Sequence, residues 1–170
     1  MRVIRSFSAV AALALLAACD LNTSPNVPDP IDPANDTYAA SLGVNLATMT
    51  KKASGLYYKD MVVGTGTGAA ALNDSIRVNY TLWLTNGNKI DSSLDVGGKP
   101  IEFKIGDPTV IPGFSEGFIG MLPGGERQLV VPTQLAWGAG GSSVAGKPPV
   151  PANANVVFKI QYLARLSGAQ

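Results

Sequence analysis

Ile76-Arg77-Val78-Asn79-Tyr80-Thr81-Leu82-Trp83-Leu84-Thr85 decides the fold class. Its even positions are all apolar or aromatic, and its odd positions are polar except for Trp83, the period-two pattern of a strand with one buried face. Asn86-Gly87-Asn88 follows and supplies the positive φ values of a tight hairpin turn. Strand signals resume at Lys89-Ile90-Asp91-Ser92 and at Ile101, Phe103 and Ile105, which alternate with Glu102 and Lys104. Leu94 to Pro100, with Gly97-Gly98, reads as a bulge or a short excursion between them.

The same reading extends outward in both directions. Upstream, Gly55 to Val63 has strand composition and stops at Gly64-Thr65-Gly66-Thr67-Gly68. Downstream, Pro112 suits the first turn of a helix, and Phe114, Phe118, Met121 and Leu122 recur at i, i+4, i+7 and i+8, one apolar stripe. Pro123-Gly124-Gly125 ends that helix, and Arg127, Leu129 and Val131 begin another alternating strand. A loop rich in Gly and Pro runs from Pro132 to Asn155, after which Val156, Phe158, Ile160, Tyr162, Ala164 and Leu166 face one way and Lys159, Gln161 and Arg165 the other. These elements imply an α+β domain, a twisted antiparallel sheet of about five strands wrapped on one short α-helix.

The chain has 170 residues, enough for one domain with a tail. It contains no histidine, which excludes a Ser-His-Asp triad, a His-ligated zinc and a His general base. Its single Cys19 cannot close an internal disulfide, and no residue is assigned to a metal. Thirteen basic against twelve acidic residues, with no basic block, leave no electrostatic footprint for nucleic acid.

Arg2 and Arg5 precede an apolar run from Val10 to Ala18 that is too short to span a bilayer, the layout of a secretion signal. The run ends in Leu16-Ala17-Ala18-Cys19, which resembles the bacterial lipobox that directs lipid onto the cysteine and cleavage before it. Residues 1–18 are therefore expected to be a lipoprotein signal peptide and Cys19 the lipid-attachment site. Cleavage would leave 11 basic against 12 acidic residues, so acyl chains alone would hold the protein on the membrane. From Asp20 to Asp36 the chain carries four prolines and no basic residue, too little apolar surface to offset its ordering entropy. Residues 19–53 are expected to be a lipidated, mostly disordered tether, its stretch from Asp20 to Asp36 reaching up to about 50 Å, with one short amphipathic helix at Leu42, Leu46 and Met49, and residues 54–170 the folded domain.

From Ser54 onward the chain resembles the FKBP-type peptidyl-prolyl isomerases. The resemblance rests on Ser54-Gly55-Leu56-Tyr57-Tyr58, Val78-Asn79-Tyr80-Thr81, Asp91-Ser92-Ser93, Val110-Ile111-Pro112-Gly113-Phe114, Met121 through Gly124, Trp137-Gly138 and Pro151-Ala152-Asn153-Ala154, in order. It implies the fold already read from the residues. It also implies a reaction that needs no nucleophile or cofactor, because rotating an X-Pro bond only lowers a barrier of about 18–20 kcal/mol set by amide resonance.

By resemblance, Asp91, Tyr80 and Trp137 are the catalytic positions, with Asp91 hydrogen-bonded to Tyr80 and Trp137 donating from the rim. Ile90, Ile101, Phe103, Val110, Ile111, Phe114, Val150 and Phe158 are the substrate-binding positions, Phe114 forming the floor and the Ile111 N–H pinning the peptide. Ile90 and Ile101 stand where the best-studied members have aromatics, Phe114 replaces a tryptophan and Trp137 a tyrosine. The expected partners are X-Pro segments of unfolded or exported proteins, the membrane through Cys19, and macrolide inhibitors of this family's class, at the cell envelope facing the periplasm or exterior. The departures favour one alternative, a catalytically weak binding module of the same fold tethering a partner at the membrane.

Overall fold

The computed structural model describes residues 27–95 and 97–166, so the expected signal segment and Cys19 lie outside the described residues. Seven strands, β1 (Thr50–Lys51), β2 (Tyr57–Val62), β3 (Ser75–Leu84), β4 (Lys89–Ser92), β5 (Ile101–Lys104), β6 (Glu126–Val131) and β7 (Val156–Arg165), accompany one helix, α1 (Pro112–Phe118). They form a single antiparallel sheet in the order β1-β2-β6-β7-β3-β4, with β5 also on β3. The count exceeds the expected five or so for two local reasons. Two-residue β1 is too short for alternation to show, and the pieces flanking Leu94 to Pro100 are separate strands, both paired with β3.

The period-two reading of β3 holds on the inner face. Ile76, Val78 and Leu82 are buried there with Phe158, Ile160 and Tyr162 of β7 and Leu129 and Val131 of β6. In the turn after β3 only Gly87 takes a positive φ, +91°, while Asn86 accepts the Asn88 N–H through its side chain. Helix α1 lies close on β6 because Gly113 and Gly117 face it: a Cβ on either would come within 2.3 Å of Val131 or Leu129. Arg127, 5 % exposed, donates to the carbonyls of Gly117 and Ile119 and pairs with Asp60 at 2.6 Å, so the helix C-terminal end is satisfied by a buried cation. The apolar stripe outruns the helix: Met121 is buried from the loop that follows it.

The N-terminal segment corrects the expectation of a mostly disordered tether. Residues 33–35, 40–42 and 46–48 are 3-10 turns, not one amphipathic helix, because Gly43 at φ +62° stops the chain between the second and third. Tyr38, Leu42, Val44, Leu46 and Met49 cover Tyr57, Val130 and Val157 on the outer face of the sheet. Asn155, 3 % exposed, donates to Ile31 O and to Asp36, each at 2.9 Å, and Gln128 donates to Leu42 O at 2.7 Å. A Pro- and Asp-rich composition cannot build a core of its own, but it can be strapped to one through its backbone carbonyls. No helix among the described residues is long and apolar enough to cross a membrane.

Candidate functional site

A break in the strand pairing positions the site. Leu82 lies opposite Asp91 and Trp83 opposite Lys89, so Ile90 is an extra residue with no partner on β3. Such a bulge re-aims side chains. Ile90 turns into the core, 7 % exposed, and Asp91 reaches a cavity of ≈ 220 Å³ at the open edge of the sheet. Tyr80 and Leu82 of β3, Ile101 of β5 and Phe158 of β7 form its walls with Trp137 from the long loop. Thr109, Val110 and Ile111 lead into α1, whose Phe114 closes the floor.

The floor is a packed set of rings. Phe114 meets Tyr80 edge-on at 5.4 Å and Phe118 edge-on at 5.1 Å, and tilts against Phe158 at 5.1 Å and Phe103 at 5.3 Å between centroids. Edge-to-face geometry at these distances adds stability beyond area burial and fixes the ring. Ile111, extended at ψ 138°, accepts the Phe114 N–H at 3.1 Å and starts the helix ahead of Pro112.

Asp91 is the one carboxylate in this lining. Its Oδ2 accepts the Tyr80 hydroxyl at 2.5 Å and the Lys147 ammonium at 2.5 Å, and its Oδ1 accepts the Ser92 N–H at 2.9 Å. Burial pushes the Asp91 carboxyl upward, but the hydrogen bonds from Lys147 and Tyr80 and the Lys147 charge outweigh it and hold the group below its ordinary value. The Tyr80 hydroxyl is pushed well above its ordinary value by burial and by donating to Asp91, so it stays a donor. Among the described residues no three His, Cys, Asp or Glu side chains gather in a way that could hold a metal.

Eight of the expected site positions meet in this cavity: Tyr80, Asp91, Trp137, Ile101, Val110, Ile111, Phe114 and Phe158. Three do not line it. Ile90 and Val150 are sealed in the core, and Phe103 stands behind Phe114, wedged between it and Phe118 at 5.6 Å. Ile90 is displaced by the bulge. Leu82 and Thr109 were missed, although Leu82 shares the inward face of Tyr80 and Thr109 directly precedes Val110. Lys147 was missed too, and no local pattern could have found it.

The family model of FKBP-type peptidyl-prolyl cis-trans isomerases matches residues 66–163. An FK506-binding protein of Neisseria meningitidis serogroup B is 38% identical over 109 residues, covering 64% of this chain and 94% of that protein. Among solved structures, AtFKBP13 superposes with a TM-score of 0.62 at 35% identity, over 69% of this chain and 98% of that one. FkpA from Escherichia coli superposes with a TM-score of 0.59 at 33% identity, over 69% of this chain and 51% of that one.

Proposed function

The chain belongs to the FKBP-type peptidyl-prolyl cis-trans isomerase family, and from that premise we propose that it rotates X-Pro bonds of exported proteins while lipid on Cys19 holds it at the cell envelope. The observation that carries the catalytic half is the ring-floored cavity with one hydrogen-bonded carboxylate.

A prolyl ring resting on Phe114, between Tyr80 and Phe158, is taken out of water by apolar walls. The planar amide is the more charge-separated form, so an environment poorer in water favours the twisted one and lowers the barrier of about 18–20 kcal/mol. The Ile111 N–H would hold the peptide at the start of α1, and the Trp137 indole N–H would donate to it. Asp91, fixed by Tyr80, Ser92 and Lys147, orients the Tyr80 hydroxyl and faces the carbonyl that rotates. By analogy with the Neisseria protein named for FK506 binding, the same cavity is the proposed site for macrolides of that class.

A protease-coupled cis/trans assay on a Leu-Pro peptide tests this half. The wild type should accelerate isomerisation, and Asp91→Ala should lower turnover at a small cost in stability, since the Tyr80 hydroxyl and the Lys147 ammonium lose their acceptor. No acceleration by the wild type would sink the reading.

The anchoring half takes residues 1–18 as a lipoprotein signal peptide, Cys19 as the lipidated first residue of the mature chain, and the periplasm or exterior as its compartment. Cys19→Ser should shift the protein from the membrane fraction to the soluble one. Retention of the variant on membranes would refute the lipid anchor.

A further inference from the structure

The carboxylate of the cavity is met from the far side by a cation that no sequence pattern singled out. Ser142 and Val150 exchange backbone hydrogen bonds of 2.9 and 2.8 Å, and the Lys147 N–H bonds Val144 O at 3.0 Å, which folds residues 142–150 into a narrow loop. That turn delivers Lys147 Nζ to Asp91 Oδ2, 56 residues away in sequence. The Lys147 side chain is 43% exposed and that of Asp91 20%, so the ammonium is the more solvent-exposed member of the pair. Lys147 touches the cavity only through Asp91, and the other residues lining it carry no charge.

The isomerase reading fixes what lies next to this pair. With the prolyl ring seated on Phe114 in a cavity of ≈ 220 Å³, the residue X before proline would lie toward Asp91, whose partner is Lys147. An unpaired carboxylate there would repel an acidic X. Paired, the site is neutral overall, and its outermost charge is the cation.

We propose that Lys147 is a specificity-determining residue of this site, which by pairing with Asp91 admits X-Pro segments in which X is Asp or Glu. The inference rests on the isomerase reading. It deepens that reading by naming a substrate class.

The test uses the full chain and three peptides that differ only in X, as Leu, Glu or Lys, and compares kcat/KM for the wild type with Lys147→Met, Lys147→Glu and Lys147→Arg. Lys147→Met should lower the Glu-to-Leu ratio by about three- to tenfold and raise the Lys-to-Leu ratio, with Lys147→Glu shifting both further. Lys147→Arg should keep the wild-type ratios, and high salt should shrink all the differences. A purely structural role for the loop would depress the three peptides alike. Uniform loss, or ratios that do not move, would therefore overturn the proposal. Should the wild type turn over none of the peptides, the isomerase reading fails, and their dissociation constants score Lys147 by the same ratios: a shift supports the charge preference and no shift refutes it.

Discussion

The inner face of the sheet is covered by a helix that brings rings and close-packed glycines, whereas the outer face is covered by a strap that brings mainly carbonyls and half-buried apolar side chains. Inside, Phe114 and Phe118 stack with Phe103 and Phe158 at centroid distances from 5.1 to 5.6 Å, and Ile76, Val78, Leu129 and Tyr162 are fully enclosed. Outside, the apolar side chains Tyr57, Val130 and Val157 are buried beneath residues 38–49. The strap is pinned by polar side chains of the sheet and the loop before it: Asn153 to Pro28 O, Asn155 to Ile31 O and Asp36, and Gln128 to Leu42 O. One face is held by area removed from water, the other by hydrogen bonds that cost stability when left unmade.

The comparison breaks most visibly at Phe118. Phe118→Ala should cost about 3–5 kcal/mol in denaturant unfolding, the usual cost of removing an enclosed aromatic. A loss near 1 kcal/mol would mean that the inner face is not the dominant core.

Asn155→Ala is the matching cut on the other side. It removes two donations to the strap and leaves the buried Thr133 N–H without its 3.0 Å acceptor. The expected cost is about 1–3 kcal/mol, with amide exchange accelerating across residues 31–42 while β3 and β7 stay protected. Equal acceleration in the sheet would show that the two faces are one cooperative unit.

The smallest effect sharpens the one polar exception on the inner side. The Lys147 and Tyr80 hydrogen bonds hold the Asp91 carboxyl below its ordinary value. A carboxyl depressed on folding contributes stability that is complete above the unfolded value and is lost as pH falls through the folded one. The thermal midpoints of wild type and Asp91→Asn should therefore differ by a constant amount from pH 5 to 7, and the wild-type contribution should fade only below about pH 4. A difference that changes between pH 5 and 7 would show that Asp91 is not held as its contacts imply.

The inner face was legible because burial on one side of a strand writes itself into alternation: Ile76, Val78 and Leu82 could be placed from their spacing alone. The outer face was not. Tyr57, Val130 and Val157 are buried by a segment whose Pro and Asp content argues for disorder, and hydrogen bonds to backbone carbonyls leave no trace in side-chain patterning. The family resemblance located most of the cavity. It misplaced Ile90 because a bulge shifts the register by one residue, and one residue is a whole face of a strand.

By itself, then, the sequence determined the class of fold, the strand and helix that carry Tyr80, Asp91 and Phe114, and the absence of histidine chemistry, since these depend on residue type and local periodicity. Only the tertiary structure decided that Ile90 leaves the cavity, that residues 28–49 strap the outer face, and that Lys147 closes on Asp91 across 56 positions. Those contacts join segments distant in sequence, and nothing in the chemistry of either segment alone specifies its partner.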